Sequence, residues 1–240
     1  MGLASHLMAN NEGPLRGNLL ISHTHWDHIE GIPFFAPLFM PGNEWDIYAP
    51  HGFQSGIGEA LSSQLQHTYF PAELEQLGAA IRYHDLTEGT FSVGDISISA
   101  RYLNHPALTL GFRLEADGVA IVYCCDHEPH SYALAQGSGE IGGQDREYVE
   151  FLADADLLIH DAQYRATEYD GKRGWGHSTL EYAVAVAKLG GVKALALTHH
   201  DPARDDEAID DEITALRAQL AAEGSALRVY GAFEGQTLEF

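Results

Sequence analysis

His23-Thr24-His25-Trp26-Asp27-His28 places four metal-ligand side chains in six positions, directly after the apolar run Leu19-Leu20-Ile21. Residues i and i+2 of an extended segment point the same way, so His23 and His25 can grip one ion. Asp27 and His28 follow in a turn and can face a second. Imidazole and carboxylate suit zinc and related first-row divalent metals. Four such residues at a strand end are a more specific signal than a histidine-rich polar loop.

Working outward, three more apolar runs end in ligand-type residues. Ile121-Val122-Tyr123 leads to Asp126, Leu157-Leu158-Ile159 to His160-Asp161, and Leu195-Ala196-Leu197 to His199-His200. Layered α/β folds gather polar loops around a ligand at the mouths of their strands. His105 follows the strand-type run Ile96–Leu103 in the same manner. Taken alone, each of these residues could be a cap or a satisfied core group. Together with the first cluster they supply enough donors for two ions.

The rest of the chain alternates strand-type and helix-type segments. Helices are expected over 2–8, 56–66, 145–152, 179–189 and 210–222, the fourth stopped by Gly190-Gly191. Strands are expected at 18–22, 46–48, 80–85, 96–103, 109–115, 119–124, 156–160 and 194–198. Ala116-Asp117-Gly118 reads as a tight hairpin, and 227–230 and 236–240 as closing strands. The acidic run 201–212 reads as a solvated helix entry. The 240 residues are expected to form one domain, 1–240.

The chain carries 13 Lys and Arg against 35 Asp and Glu, a formal charge of −22. Such a surface repels phosphate backbones, so long nucleic acid is not the expected partner, whereas a metal centre can reverse the potential locally for a small anion. Cys124 and Cys125 are adjacent and without a third partner, which excludes a disulfide framework. They read as small apolar residues of a buried strand rather than thiolate ligands. Neither a membrane span nor a signal peptide is apparent, and a cytoplasmic protein is expected.

The motifs together resemble the metallo-β-lactamase superfamily, whose signature is His-x-His-x-Asp-His after a strand. The likeness runs from Leu19 to Phe240 and is greatest to the phosphodiesterase branch, which includes RNase Z and small cyclic-nucleotide phosphodiesterases. It implies an α/β (α+β) four-layer αββα sandwich and two divalent ions, zinc first, with manganese or iron(II) as alternatives. His23, His25 and His105 match the ligands of one ion; Asp27, His28 and His199 match those of the other; Asp126 matches the bridging aspartate. His199 is preferred to His200 because it directly follows the apolar strand and Thr198. Leu158-Ile159-His160-Asp161-Ala162 and Trp175-Gly176-His177-Ser178-Thr179 resemble two further segments of RNase Z. In that enzyme the acid of the first orients the histidine of the second, which implies the same for Asp161 and His177. The implied reaction is phosphodiester hydrolysis by a metal-bridging hydroxide. Asp27 orients the nucleophile or accepts its proton, and His177 acts as general acid. The Gly176-His177-Ser178 stretch can also cap the helix that follows. His51, His67, His84, His127, His130 and His160 are read as structural or surface residues, with His127 and His160 placed to support the ligands.

The resemblance also implies strands before the histidine cluster, yet only 22 residues precede His23. The first sheet is therefore expected to be truncated, its edge covered by a second copy in a homodimer or the chain starting downstream of the natural start. With no long basic arm and an acidic surface, the expected substrate is a small phosphodiester such as a cyclic nucleotide. The competing readings are a lactone or thioester hydrolase on the same metal frame, and a non-catalytic metal-binding regulatory domain.

Overall fold

The computed structural model describes residues 2–52, 56–71 and 77–240. The chain forms two compact units, Met1–Glu88 with Ala107–Leu110, and Gly89–Pro106 with Gly111–Phe240.

In the first unit a helix, α1 (Gly2–Ala9), precedes three strands, β1 (Arg16–Leu20), β2 (Glu44–Pro50) and β3 (Ala80–Leu86). They pair in that order and run parallel. Parallel neighbours require crossovers. These include α2 (Trp26–Ile29) after β1 and α3 (Ile57–Gln64) after β2. Burial alternates along β2, and Ile47 and Ala49 pack with Ile21, Ile29, Ile57 and Leu61. The period of two is that of a strand with one face in a core.

The second unit is built on seven strands. β4 (Gly89–Val93), β5 (Ile96–Tyr102), β6 (Leu110–Ala116), β7 (Val119–Cys124), β8 (Leu157–Asp161), β9 (Ala194–Thr198) and β10 (Arg228–Gly231) lie side by side in sequence order. β4 pairs antiparallel with β5 and β6 with β7, whereas β7, β8, β9 and β10 are parallel. The β6–β7 hairpin turns on Asp117 and Gly118, with φ 52° and 80°. Two consecutive left-handed residues match the twist of a two-residue hairpin, as the Asp-Gly pair predicts.

Helices α4 (Tyr132–Ala135), α5 (Gly143–Leu152), α6 (Leu180–Leu189) and α7 (Asp206–Ala222) carry the chain between the parallel strands. Tyr182 and Val186 of α6 and Leu216 of α7 pack with Val122, Leu158 and Leu195 of the sheet. Leu157, Ala194 and Ala196 are buried on the alternate face. Burial on both faces explains why β8 and β9 read as unbroken apolar runs.

Two expectations are corrected, and one strand was not expected. Residues 236–240 form no strand. The chain turns at Gly235 (φ 84°), Gln236 N–H bonds to the Phe233 carbonyl, and Leu238 packs on the sheet without entering a ladder. Helix α7 begins a turn earlier than residue 210, because Asp205 accepts a hydrogen bond from Ala208 N–H (2.9 Å) and caps it. Strand β4 went unforeseen because its alternating residues are exposed or half-buried and mark no apolar face. No helix of the described residues is long and apolar enough to cross a membrane.

Candidate metal centre

Ligand-type residues in the first unit follow β1. Ile21 N–H bonds to the Tyr48 carbonyl (2.8 Å), extending the β1–β2 pairing to the edge of the histidine cluster. His23 is completely buried, and its ring lies 4.6 Å from that of His25 and 4.1 Å from that of His28. The i, i+2 geometry thus brings His23 and His25 together as expected. His25 is the extended residue at the N-terminus of α2, and the helical turn returns His28 toward His23. Asp27 Oδ2 lies 3.2 Å from His28 Nε2.

In the second unit the parallel sheet does the gathering. Register pairs Cys124 with His160 and Asp161 with Thr198, so β7, β8 and β9 end on one edge. Asp126, Asp161 and His199 stand at those three ends. Asp126 and His199 both adopt left-handed backbone, with φ 63° and 56°. That conformation costs a non-glycine residue about 1–3 kcal/mol and gathers at functional sites.

Asp126 faces three histidines, His177 the farthest with Nδ1 4.0 Å from Oδ2. The Asp126 Oδ2 lies 3.7 Å from His105 Nε2 and its Oδ1 3.5 Å from His199 Nε2. Its two oxygens are thus turned to different imidazoles. Asp126, Asp161, His177 and His199 each offer a donor atom within 4.8 Å of the others. Such a grouping of imidazole and carboxylate donors could hold a divalent metal. Asp161 is already engaged: Oδ2 accepts from His177 Nδ1 (2.9 Å) and Oδ1 from Gln163 N–H (2.9 Å). Asp161 is therefore placed as the partner of His177. His177 stacks on His199, ring centroids 5.0 Å apart. His200 belongs to none of the donor groups found among the described residues, whereas His199 does.

Buried groups hold these residues in place. His127 Nδ1 accepts from Asn104 N–H (3.2 Å), which puts its ring proton on Nε2, 3.1 Å from Tyr182 Oη. Tyr182 in turn donates to Asp145 (2.7 Å). Burial first, then the neighbouring histidines, keeps His127 well below the usual imidazole range, so it stays neutral. His160 Nδ1 lies 2.6 Å from the Asp161 carbonyl oxygen. These ring bonds run to backbone groups and to Tyr182 rather than to the side chains expected to bind metal. Ser178 donates its hydroxyl to the His127 carbonyl, and Thr179 caps α6 by accepting from Tyr182 N–H (3.0 Å). The helix-capping role and the placement of His177 hold together. Of the remaining histidines, His84 lies 2.6 Å from Asp46, His51 lies 3.3 Å from Asp85, and His67 and His130 are exposed. Cys124 and Cys125 are buried and free; burial pushes the Cys124 thiol up to about 12 and the Cys125 thiol well above its usual range.

Sequence reading missed Glu128, and it placed Gly176 in the His177 motif without a role toward His105. Glu128 accepts from Gly174 N–H and Gly176 N–H, both at 2.7 Å, and from Tyr169 Oη at 3.0 Å. It clamps the loop that presents His177. The Gly176 carbonyl lies 2.9 Å from His105 Nδ1 and orients that ring, leaving Nε2 toward Asp126. Gly176 has φ 89°, and a Cβ there would meet His105 Nδ1 at 2.2 Å. Only glycine fits. Glu128 gave no sequence signal, since its partners lie more than 40 residues away.

A cleft of about 770 Å³ lies elsewhere in the second unit, lined by Leu134, Leu180, Val184 and Leu216. It contains none of the residues expected to bind metal.

Fold and donor groups define the class: a metal-dependent hydrolase of metallo-β-lactamase fold. The chain belongs to the family described as Beta-lactamase superfamily domain, whose sequence model matches residues 16–200. Ribonuclease Z of Shouchella clausii (strain KSM-K16) is 28% identical over 239 residues, covering 82% of this chain and 74% of that protein. Among solved structures, Zn2+-bound PqqB from Methylobacterium extorquens superposes with a TM-score of 0.62 at 18% identity, covering 98% of this chain and 80% of PqqB. Human tRNase Z, short form, gives 0.57 at 22% identity, covering 78% and 73%.

Proposed function

We propose that this protein is a phosphodiesterase acting on a small phosphodiester such as a cyclic nucleotide. The observation that carries the reading is the Asp161–His177 pair beside Asp126 and His199. Expelling an alkoxide from phosphorus calls for such an acid, whereas a thioester loses a thiolate that leaves without one; a lactone also loses an alkoxide, so it is set apart by the turnover panel below.

The proposed ligand set is His23, His25 and His105 for one divalent cation and Asp27, His28 and His199 for a second, with Asp126 shared. The donor chemistry favours zinc, with manganese and iron(II) as alternatives. Bound there, the cations would acidify a water and neutralise charge developing on the phosphoryl oxygens. Asp27 would orient the attacking water or take its proton. His177, its Nδ1 hydrogen-bonded to Asp161, would deliver a proton from Nε2 to the leaving oxygen. Asp161 would hold the ring and stabilise its charged form. Two free, buried cysteines suit a reducing, cytoplasmic compartment.

A second reading takes an RNA phosphodiester as substrate, because relatives such as that from Shouchella clausii are named Ribonuclease Z. The formal charge of −22 opposes it, since binding a long phosphate backbone relies on many cationic contacts. One panel separates the possibilities: turnover of an aryl phosphodiester, 2′,3′- and 3′,5′-cyclic nucleotides, a precursor tRNA with a 3′ trailer, and a lactone. Cyclic-nucleotide turnover well above the rest is expected. Turnover confined to the lactone would overturn the reading; turnover confined to the tRNA would establish the second.

A further inference from the structure

From Lys172, Trp175 and Tyr164 we infer that the loop leading into His177 is a nucleotide-reading subsite, with Lys172 for a phosphate oxygen and Trp175 for the base. This inference rests on the phosphodiesterase reading and assigns residues for substrate selection within it.

Lys172 closes the short 3-10 turn Tyr169–Lys172, and Trp175 immediately precedes Gly176-His177. The lysine Nζ lies 4.6 Å from the centre of the Trp175 ring and 5.5 Å from that of Tyr164. Tyr164 is 2% exposed, and its ring meets the His177 ring edge-on at 6.1 Å. Trp175 is 59% exposed. Trp175 thus lies two residues before the histidine proposed to protonate the leaving oxygen, and Lys172 is linked to it through the Tyr164 ring.

Charge sharpens the point. Among the described residues many cations of this acidic chain are neutralised locally: Arg165 and Arg204 pair with Glu168 and Glu212, Lys188 with Glu223, and Lys193 with Asp156, whereas Arg173, Arg217 and Arg228 lie over aromatic rings. Lys172 is of this second kind, and its rings, Trp175 and Tyr164, are those of the His177 loop and of the residue whose ring meets His177. A lysine held this way keeps its charge for an incoming anion, which the surrounding negative field would otherwise repel. A large aromatic ring in open solvent gains by stacking on a planar base, and such stacking is sequence-tolerant. Glu128 anchors the loop through Gly174 and Gly176, so the subsite is fixed rather than assembled on binding.

Adenosine 5′-monophosphate, adenosine and ribose 5-phosphate, titrated calorimetrically into the zinc-loaded protein, test this. The nucleotide is expected to bind more tightly than either fragment. Trp175→Ala should weaken it about tenfold toward the affinity of ribose 5-phosphate. Lys172→Met should weaken it toward that of adenosine, and Lys172→Arg should restore it. Retained melting temperatures would show that the variants fold. Cyclic-nucleotide KM should rise in Trp175→Ala relative to the KM of a methyl aryl phosphodiester. No nucleotide binding by the parent protein, or unchanged binding in both Trp175→Ala and Lys172→Met, overturns the subsite. Binding that depends on Trp175 in a protein inactive on every phosphodiester would uphold the subsite and sink the proposed activity. Cyclic-nucleotide turnover with unchanged KM in both variants would do the reverse.

Discussion

Asp161 accepts a hydrogen bond from His177 Nδ1 at 2.9 Å, and the accepting carboxylate is completely buried. Its other oxygen is held by Gln163 N–H at 2.9 Å. The acid is fixed before the histidine meets it, so its orientation passes directly to the imidazole. Such a pair holds the proton-bearing ring in one tautomer and steadies the imidazolium.

His177→Ala should lower kcat about 10²- to 10⁴-fold on a substrate with an alkoxide leaving group. On a p-nitrophenyl ester, whose leaving group needs no proton, the loss should stay below about tenfold. Asp161→Asn should show the same leaving-group dependence with a smaller loss. The check is steady-state kcat on both substrates; equal losses would mean that His177 serves structure alone.

Gly176→Ala should disturb metal binding without removing a ligand. Its Cβ would stand 2.2 Å from His105 Nδ1 and 2.4 Å from Pro106, at a φ of 89°. Either the His105 ring shifts or the loop does, and the carbonyl that orients His105 moves with it. Loss of such a supporting contact typically weakens metal affinity about 10- to 100-fold. Competition with a chromogenic chelator measures this, and parent-like affinity would show that the loop relaxes freely.

Much of the site was legible because one physical pattern repeats. Apolar strands buried on a face must stop where ligands begin, and β7, β8 and β9 stop together because they are parallel and in register. The Asp117-Gly118 turn was legible for a similar reason, since two left-handed positions demand those residue types. Glu128 was invisible because its role exists only once the loop at Gly174–Gly176 folds against it. The left-handed backbone at Asp126 and His199 was equally hidden, since neither is a glycine that would announce it. The tail at 236–240 misled because Leu238 packs as a strand residue would without joining a ladder.

Cys124 and Cys125 are 0% and 4% exposed. Both should stay inert to a thiol-specific disulfide reagent in the folded protein and react fully in denaturant. Rapid labelling of the native protein would mean that the end of β7 opens.

Asp46 supplies a dependence on acid. Its bidentate pair with Arg82, at 2.7 and 2.9 Å, and then His84 hold its pKa at about 2 against an ordinary 3.8. Between those values the unfolded chain binds more protons. The contribution is therefore complete above the ordinary value and disappears as pH falls through about 2. Arg82→Met should raise the Asp46 pKa and shift acid unfolding to higher pH, by a small amount because the pair lies at the surface. Carboxyl NMR titration and circular dichroism together measure both effects.

The most direct test is metal stoichiometry. Protein purified without added metal and analysed by plasma mass spectrometry should hold about two divalent ions per chain, the number set by paired-metal hydrolysis. Asp126→Ala should lose both, and His23→Ala or His199→Ala should each lose mainly one. A protein that binds no metal, or that keeps its full complement without Asp126, would contradict the account.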